Sequence, residues 1–280
     1  MKVAGVQMNP KILEKERNLE RCLDSIRLAN KAGAELIVFP ECALTGYCFT
    51  SRDEALVMAE AIPGWSIRTI SALCKELEVY TVIGLLEKAR NRLYNAIAFV
   101  GPAGLVGKYR KIHLPYLGVD RFADHGDKPF RVYETPVGNV GLNICFDLRF
   151  PESSRIMALN GAEIVVLPTN WPEGAENSPK FYVNTRASEN RVNYVAVNRV
   201  GSERGFNFIG QSKIVDPNGL TLVEASSDKE EIVYADLDLG AAREKRVVIR
   251  PGEYELPLWD ERRPALYRVI ARRGHSSRSN

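Results

Sequence analysis

Along this chain, short wholly apolar runs alternate with stretches whose apolar residues recur every three or four positions. Residues 2–8, with Val3-Ala-Gly-Val-Gln-Met8, read as a first buried strand. Leu13, Leu19, Leu23, Ile26 and Ala29 then recur at helical spacing, and Gly33 supplies a C-terminal stop. Gly33-Ala-Glu-Leu-Ile-Val-Phe-Pro40 predicts a second buried strand that ends at Glu41. A helix over 66–77 and a third strand over 79–85 follow. Residues 95–100 and 105–109, flanking Gly101-Pro-Ala-Gly104, predict a hairpin.

The second half repeats this order. Residues 139–144 read as a strand, and a helix with Pro151 at its first position runs on to Asn160. Gly161-Ala-Glu-Ile-Val-Val-Leu-Pro168 mirrors Gly33 to Pro40 at an offset of 128. A helix around 180–191 and a strand over 194–199 come next. The strands 211–216 and 220–224 then repeat the hairpin, with Pro217 and Gly219 matching Pro102 and Gly104 at an offset of 115. Two halves of one plan imply a single pseudo-symmetric α/β domain whose parallel strands are covered by helices. After Leu239 the rhythm is lost. Residues 250–267, with Pro251, Pro257, Trp259 and Pro264, predict an extended arm lying on a solvated edge or on a partner subunit. Residues 274–280 have the composition of a disordered tail. The expected organisation is thus one domain over 1–280, with a core of 1–240, an arm of about 241–270 and a tail of 271–280.

Composition narrows the class. The 280 residues are 45% hydrophobic and 26% charged, ordinary values for a globular chain. A net charge of +3, much of it in the last arginines, makes no case for a nucleic-acid or membrane surface, and no stretch approaches a membrane span. Because residues 2–8 already read as core, no export signal is expected. The five cysteines lack metal-ligand spacing, so a reduced cytoplasmic setting is the simpler expectation. With only three histidines, a zinc site or a Cys-His-Asp triad has few places to form, and neither metal nor cofactor is expected.

Sites in open α/β sheets form beyond the carboxyl ends of the strands. Glu41, Cys145 and Thr169-Asn-Trp171 all fall on that edge, and Lys111, just past the hairpin arm, can reach it. Cys145 stands at a sharp strand-to-helix crossing, where a helix N-terminus favours a thiolate and an oxyanion; the alternative is a core cysteine. A thiol nucleophile, a carboxylate that takes its proton and an ammonium that steadies the oxyanion make a workable hydrolytic set. Burial behind the apolar residues 36–40 would raise the pKa of Glu41 as that role requires. Each member has a plainer alternative: Glu41 as a helix-starting acid, Lys111 as one charge on a solvated face.

Phe39-Pro-Glu41 with Leu44-Thr-Gly-Tyr47, Tyr109-Arg-Lys111 with His113-Leu114, and Asn143-Ile-Cys-Phe-Asp-Leu-Arg-Phe-Pro-Glu152 resemble the three signature blocks of the nitrilase (carbon–nitrogen hydrolase) superfamily. Leu167-Pro-Thr-Asn-Trp-Pro172, Arg186-Ala-Ser-Glu-Asn190 and Arg262-Arg-Pro-Ala-Leu-Tyr267 support the resemblance across nearly the whole chain. It implies a four-layer α-β-β-α sandwich in which Glu41 is general base, Lys111 stabilises the oxyanion and Cys145 forms a thioester acyl-enzyme. The N–H of Phe146 would be a second oxyanion donor. The resemblance also implies a homodimer or larger homo-oligomer, built across helices beside the active-site strands and the C-terminal arm.

One departure stands out. Many members carry a second glutamate between the lysine and the cysteine, whereas Gly118-Val-Asp-Arg-Phe-Ala-Asp-His-Gly-Asp127 has none. Asp120 is the nearest acid. It either substitutes with a shorter side chain or is a turn aspartate, in which case the loop positions the substrate differently or activity is lost. Cys145-Phe-Asp-Leu-Arg resembles the amidase-like branches, so a small linear amide or carbamoyl amide, with water, is the expected substrate. Tyr47, Tyr116, Phe146 and Trp171 would line its pocket and Asn170 would hydrogen-bond it. Arg149 would hold a substrate carboxylate or serve as a structural salt-bridge partner. The rivals are a nitrilase and a catalytically weak, partner-binding member.

Overall fold

A computed structural model of the protein describes residues 1–272, so the tail expected at 274–280 lies outside the described residues. The first half contains strands β1 (Lys2–Gln7), β2 (Leu36–Val38), β3 (Tyr80–Ala89), β4 (Arg92–Gly101) and β5 (Gly104–Arg110). Between them lie helices α1 (Lys15–Lys31), α2 (Arg52–Met58) and α3 (Trp65–Leu77). The second half runs through β6 (Val132–Thr135), β7 (Gly138–Leu142), α4 (Pro151–Leu159), β8 (Ile164–Pro168), α5 (Val183–Asn190) and β9 (Asn193–Val197). A small hairpin of β10 (Val200–Glu203) and β11 (Phe206–Ile209) precedes β12 (Lys213–Val215) and β13 (Thr221–Glu224). The chain then returns to the first sheet as β14 (Glu231–Asp236) before α6 (Leu239–Arg243).

The strands form two six-stranded sheets, ordered β14-β1-β2-β3-β4-β5 and β13-β12-β9-β8-β7-β6. In each, three parallel strands (β1-β2-β3, β7-β8-β9) are followed by an antiparallel pair (β4-β5, β12-β13). The repeat seen in the sequence is therefore a repeat of sheet topology. The sheets face each other through β1 and β3 on one side and β8 and β9 on the other. Helices α1 and α3 cover the outer face of the first sheet with Leu19, Cys22, Ile26, Ala29, Ile67, Ile70, Leu73 and Cys74. Helices α4 and α5 cover the second, completing a four-layer α-β-β-α sandwich. Coverage on both faces explains why the parallel strands are continuous apolar runs. Leu36, Ile37, Val38, Ile164, Val165, Val166 and Leu167 are all fully buried, each contributing roughly 1.5–3 kcal/mol of transfer free energy.

Two strands are shorter than expected, and both shortfalls place the site. Strand β2 leaves the ladder after Val38, so residues 39–44 cross over β3 at Gly84. A Cβ on Gly84 would lie 2.4 Å from the backbone nitrogen of Cys42 and 2.7 Å from the Cα of Glu41. Only glycine allows that crossing. Strand β7 likewise ends at Leu142, freeing 143–145 to turn. Edge strands β6 and β14, helix α2 and the β10–β11 hairpin are additions that the apolar pattern did not announce.

The packing divides the chain into a unit of Met1–Arg243 and another that starts at Glu244. Taken by itself, the second unit opens with a hairpin of β15 (Arg246–Arg250) and β16 (Tyr254–Pro257) and continues through 3-10 turns at Pro264–Leu266 and Arg268–Ala271. Pro251 and Gly252 make the turn of the hairpin, with Gly252 at a φ of 74°. Among the described residues no helix is long and apolar enough to cross a membrane.

Candidate active site

The crossing over Gly84 carries Glu41 into the core, where it is fully buried. Its Oε1 accepts from Lys111 Nζ at 2.7 Å and from Asn95 Nδ2 at 2.6 Å. Lys111 lies one residue past β5, anchored by its own N–H on the carbonyl of Asn95, and its Nζ also donates to Asp120 Oδ2 at 2.5 Å. Asp120 sits in a 3-10 turn, Gly118–Arg121. Its Oδ1 accepts from Asn95 Nδ2 at 2.8 Å and its Oδ2 from the Tyr47 hydroxyl at 2.8 Å. Gly118, at a φ of +50°, lets that turn lie flat on the Tyr47 ring, which a Cβ would meet at 2.4 Å. The structure thus brings Glu41, Lys111, Asp120 and Tyr47 together, and the shorter aspartate reaches the lysine directly.

Here one cation lies between two anions in a dry site. Burial pushes the Glu41 carboxyl up, and the charge of Asp120 adds to this against the opposing pull of Lys111. Burial also works against the charge on Lys111, yet Asp120 and Glu41 hold that ammonium well above its usual range. A carboxylate with raised basicity beside a permanent cation can accept a proton while the cation faces developing negative charge. Glu41 Oε2 is buried and has no hydrogen-bond partner.

Cys145 enters from the second half. It follows β7 at a φ of +44°, a conformation that costs a non-glycine residue on the order of 1–3 kcal/mol and persists only where neighbours enforce it. It opens a 3-10 turn, Cys145–Arg149, six residues ahead of the first residue of α4. Burial raises its thiol pKa to about 12, and Glu41 pushes the same way. Lys111, the Thr169 side chain and the Asn170 N–H pull it down. Desolvation is the largest of these influences and opposes the thiolate that the strand-to-helix crossing was expected to favour, which gives a neighbouring base the task of taking the thiol proton.

Cys145 opens onto a cavity of about 240 Å³ whose walls include Phe146, Arg149, Asn170 and Trp171, with Leu117 and Pro172. Tyr47 lies beneath the charged cluster and is not part of this wall. Tyr116 is 90% exposed and also outside it, because the chain turns back at Pro115 and Leu117 and leaves its ring on the surface. Arg149 forms no ion pair among the described residues, so the salt-bridge alternative falls away; its guanidinium lies 4.8 Å from the Tyr182 ring centroid. Both side-chain polar atoms of Asn170 are buried without partners. A larger hollow of about 420 Å³, between β5 and β6, is lined by no cysteine, serine or threonine. Among the described residues no group of three or more His, Cys, Asp or Glu is placed to hold a metal ion.

Asn95 went unnoticed in the sequence as a site residue, and Thr169 was placed on the site edge without a role beside Cys145. Asn95 bridges both carboxylates, and nothing in its local pattern marks it. The role of Thr169 could have been found through the repeat, because the offset of 128 makes it the counterpart of Glu41.

A doubly layered sheet sandwich with a cysteine, a lysine and a carboxylate at one strand edge defines an enzyme of the carbon–nitrogen-cleaving hydrolases. The family model described as carbon-nitrogen hydrolase matches residues 2–247, and the chain belongs to that family. A Pyrococcus abyssi protein named nitrilase is 43% identical over 250 residues, covering 88% of this chain and 93% of its own. A Bos taurus protein named omega-amidase is 34% identical, covering 92% and 94%. The crystal structure of a carbon-nitrogen hydrolase from Helicobacter pylori G27 superposes with a TM-score of 0.86 at 26% identity, covering 98% of both chains.

Proposed function

We propose that this enzyme hydrolyses a small linear amide or carbamoyl amide through a thioester acyl-enzyme on Cys145, releasing ammonia. The observation that carries the reading is the Lys111 ammonium held between buried Glu41 and Asp120, with Cys145 beside this cluster and open to a small cavity. Glu41 takes the Cys145 proton as sulfur attacks the carbonyl carbon, and Lys111 with the Phe146 N–H carries the oxyanion. Collapse breaks the C–N bond, and Glu41 returns its proton to the departing nitrogen. Water then adds to the thioester as Glu41 accepts its proton, the C–S bond breaks, and sulfur recovers the proton. Asp120 is the second carboxylate, keeping Lys111 charged and aimed.

A cavity of about 240 Å³ suits a compact substrate. Asn170 supplies unpaired donors and an acceptor, Phe146 and Trp171 the apolar walls, and Arg149 at the mouth takes a substrate carboxylate. The relative named nitrilase favours a nitrile as the second reading. The seating of Asp120 on Lys111 supports hydrolysis over the rival of a catalytically weak, partner-binding member. Exposed Ile156, Leu159 and Phe181, on α4 and just before α5, support a homo-oligomer, and the cysteines, all free, a reducing cytoplasm.

The test is ammonia release from matched amides, carbamoyl amino acids and nitriles, with Cys145→Ala alongside. Turnover of an amide class, lost by at least about 10⁴-fold in the variant, is expected. Near-wild-type turnover by Cys145→Ala overturns the mechanism, and preference for the nitrile overturns the substrate class.

A further inference from the structure

A further buried carboxylate lies behind the nucleophile, outside the charged cluster. Asp147 is fully buried within the Cys145 turn. Its Oδ2 accepts the Ile144 N–H at 2.9 Å and the Tyr109 hydroxyl at 2.8 Å. Its Oδ1 accepts the His113 N–H at 3.3 Å and lies 2.7 Å from His113 Nδ1, which must carry the proton for this bond. The Asp147 N–H donates to the Ile144 carbonyl at 2.9 Å. Residue 147 therefore closes the turn from both ends and forces out the two residues between, Cys145 and Phe146.

Asp147 is gripped by the segment that carries Lys111. Tyr109 and His113 flank that lysine in the chain, and their rings are fixed in turn. Tyr109 stacks on Phe130 with centroids 5.4 Å apart, and His113 on Phe150 at 3.7 Å and 10°. The end of β5 and the nucleophile turn come from opposite halves of the molecule and share no sheet, since β5 belongs to the first and β7 to the second.

We infer that Tyr109, Asp147 and His113 form a clamp of positioning residues that sets where Cys145 and the Phe146 N–H stand relative to Lys111. The clamp rests on the reading of Cys145 as nucleophile. None of its members faces the substrate cavity. It acts by holding the left-handed turn at Cys145 and locking it to the lysine-bearing segment. Asparagine at 147 keeps the shape but offers one acceptor oxygen to donors that now use two. Asparagine at 113 retains an N–H near the place of Nδ1, whereas leucine keeps only bulk.

The experiment compares Asp147→Asn, Tyr109→Phe, His113→Leu and His113→Asn in the full chain. It reads kcat and KM on an amide the wild type hydrolyses, the rate of Cys145 alkylation by iodoacetamide, and thermal unfolding. Asp147→Asn should lower kcat by about 10²-fold, the size expected of a misplacement near 1 Å, with KM within about twofold. Tyr109→Phe and His113→Leu should each lower kcat by about tenfold, and His113→Asn should recover most of the His113→Leu loss. Alkylation should slow in the same order. Folded Asp147→Asn with wild-type kcat and alkylation rate overturns the clamp. If Asp147→Asn does not fold, the Tyr109 and His113 variants decide: equal rates for leucine and asparagine at 113, with Tyr109→Phe at wild-type rate, overturn it. A wild type that hydrolyses nothing breaks the functional reading instead, and the alkylation rates still judge the clamp.

Discussion

Two buried polar clusters lie at strand ends of this molecule, and they are built oppositely. Gln7, at the end of β1, donates through Nε2 to the carbonyls of Ser226 and Lys229 at 2.7 and 2.9 Å. Its Oε1 accepts the Ser212 N–H and hydroxyl at 3.0 and 2.9 Å. Asn198 beside it accepts the Trp171 N–H and donates to Gly210 O, both at 2.8 Å. Gln7 and Asn198 are neutral and fully paired. The cluster of Glu41, Lys111 and Asp120 is charged, and Glu41 Oε2 and the Asn170 amide have no partners. Buried polar groups are satisfied almost everywhere in folded proteins, and the unpaired Asn170 amide lies on the wall of the Cys145 cavity, where a substrate can complete it. The charged groups make that cluster the less stable of the two, because buried charge depends on each partner being in place.

The sharpest way to break this contrast is Lys111→Met. It leaves two carboxylates buried without their cation and should lower unfolding free energy by roughly 3–5 kcal/mol in a urea titration, besides abolishing turnover. A loss under about 1 kcal/mol would mean that the pair is not held in the dry environment described here. Glu41 sharpens the contrast through pH. Only its ionised form accepts a proton, and burial raises its folded pKa above the ordinary carboxylate value. Activity should therefore fall with decreasing pH through a midpoint above the ordinary carboxylate range, and an acid limb at or below that range would remove Glu41 as the base.

The paired cluster should respond in stability alone. Gln7→Leu strands the donors and acceptors around it and should cost about 1–3 kcal/mol, with kcat on the same amide unchanged. An equal loss of kcat would show that both clusters serve the reaction. The smallest expected effect is at the cavity mouth. Arg149→Ala should raise KM for a carboxylate-bearing amide by about tenfold and leave a neutral amide of the same length unmoved. Parallel changes for both substrates would mean that Arg149 only packs on Tyr182.

Much of this was legible along the chain because it is local or periodic. The apolar runs at 36–38 and 164–168, the two crossover helices of each half and the repeated Gly-Ala-Glu and Pro positions follow from burial on both faces of parallel strands. Glu41, Lys111 and Cys145 were readable as chemistry because each ends such an element. The misreadings have a common cause. Tyr116 was placed in the pocket by its neighbours in sequence, and the direction of a side chain in an irregular segment is set by contacts many residues away. Asn95 and Asp147 were passed over because an asparagine in a strand and an aspartate in a turn look ordinary until segments distant in the chain converge on them.

The sequence by itself determined the repeated α/β plan and the residue types at its strand ends, since periodicity and composition report burial directly, while the four-layer sandwich came from the family resemblance. Only the tertiary structure decided that Asp120 bonds Lys111, that burial pushes the Cys145 thiol pKa up, and that Tyr109 and His113 grip the Cys145 turn. Hydrogen bonds of 2.7–2.8 Å between residues from opposite halves, a loop folded back onto its own lysine, and the desolvation that shifts a pKa arise only when separate segments exclude water together.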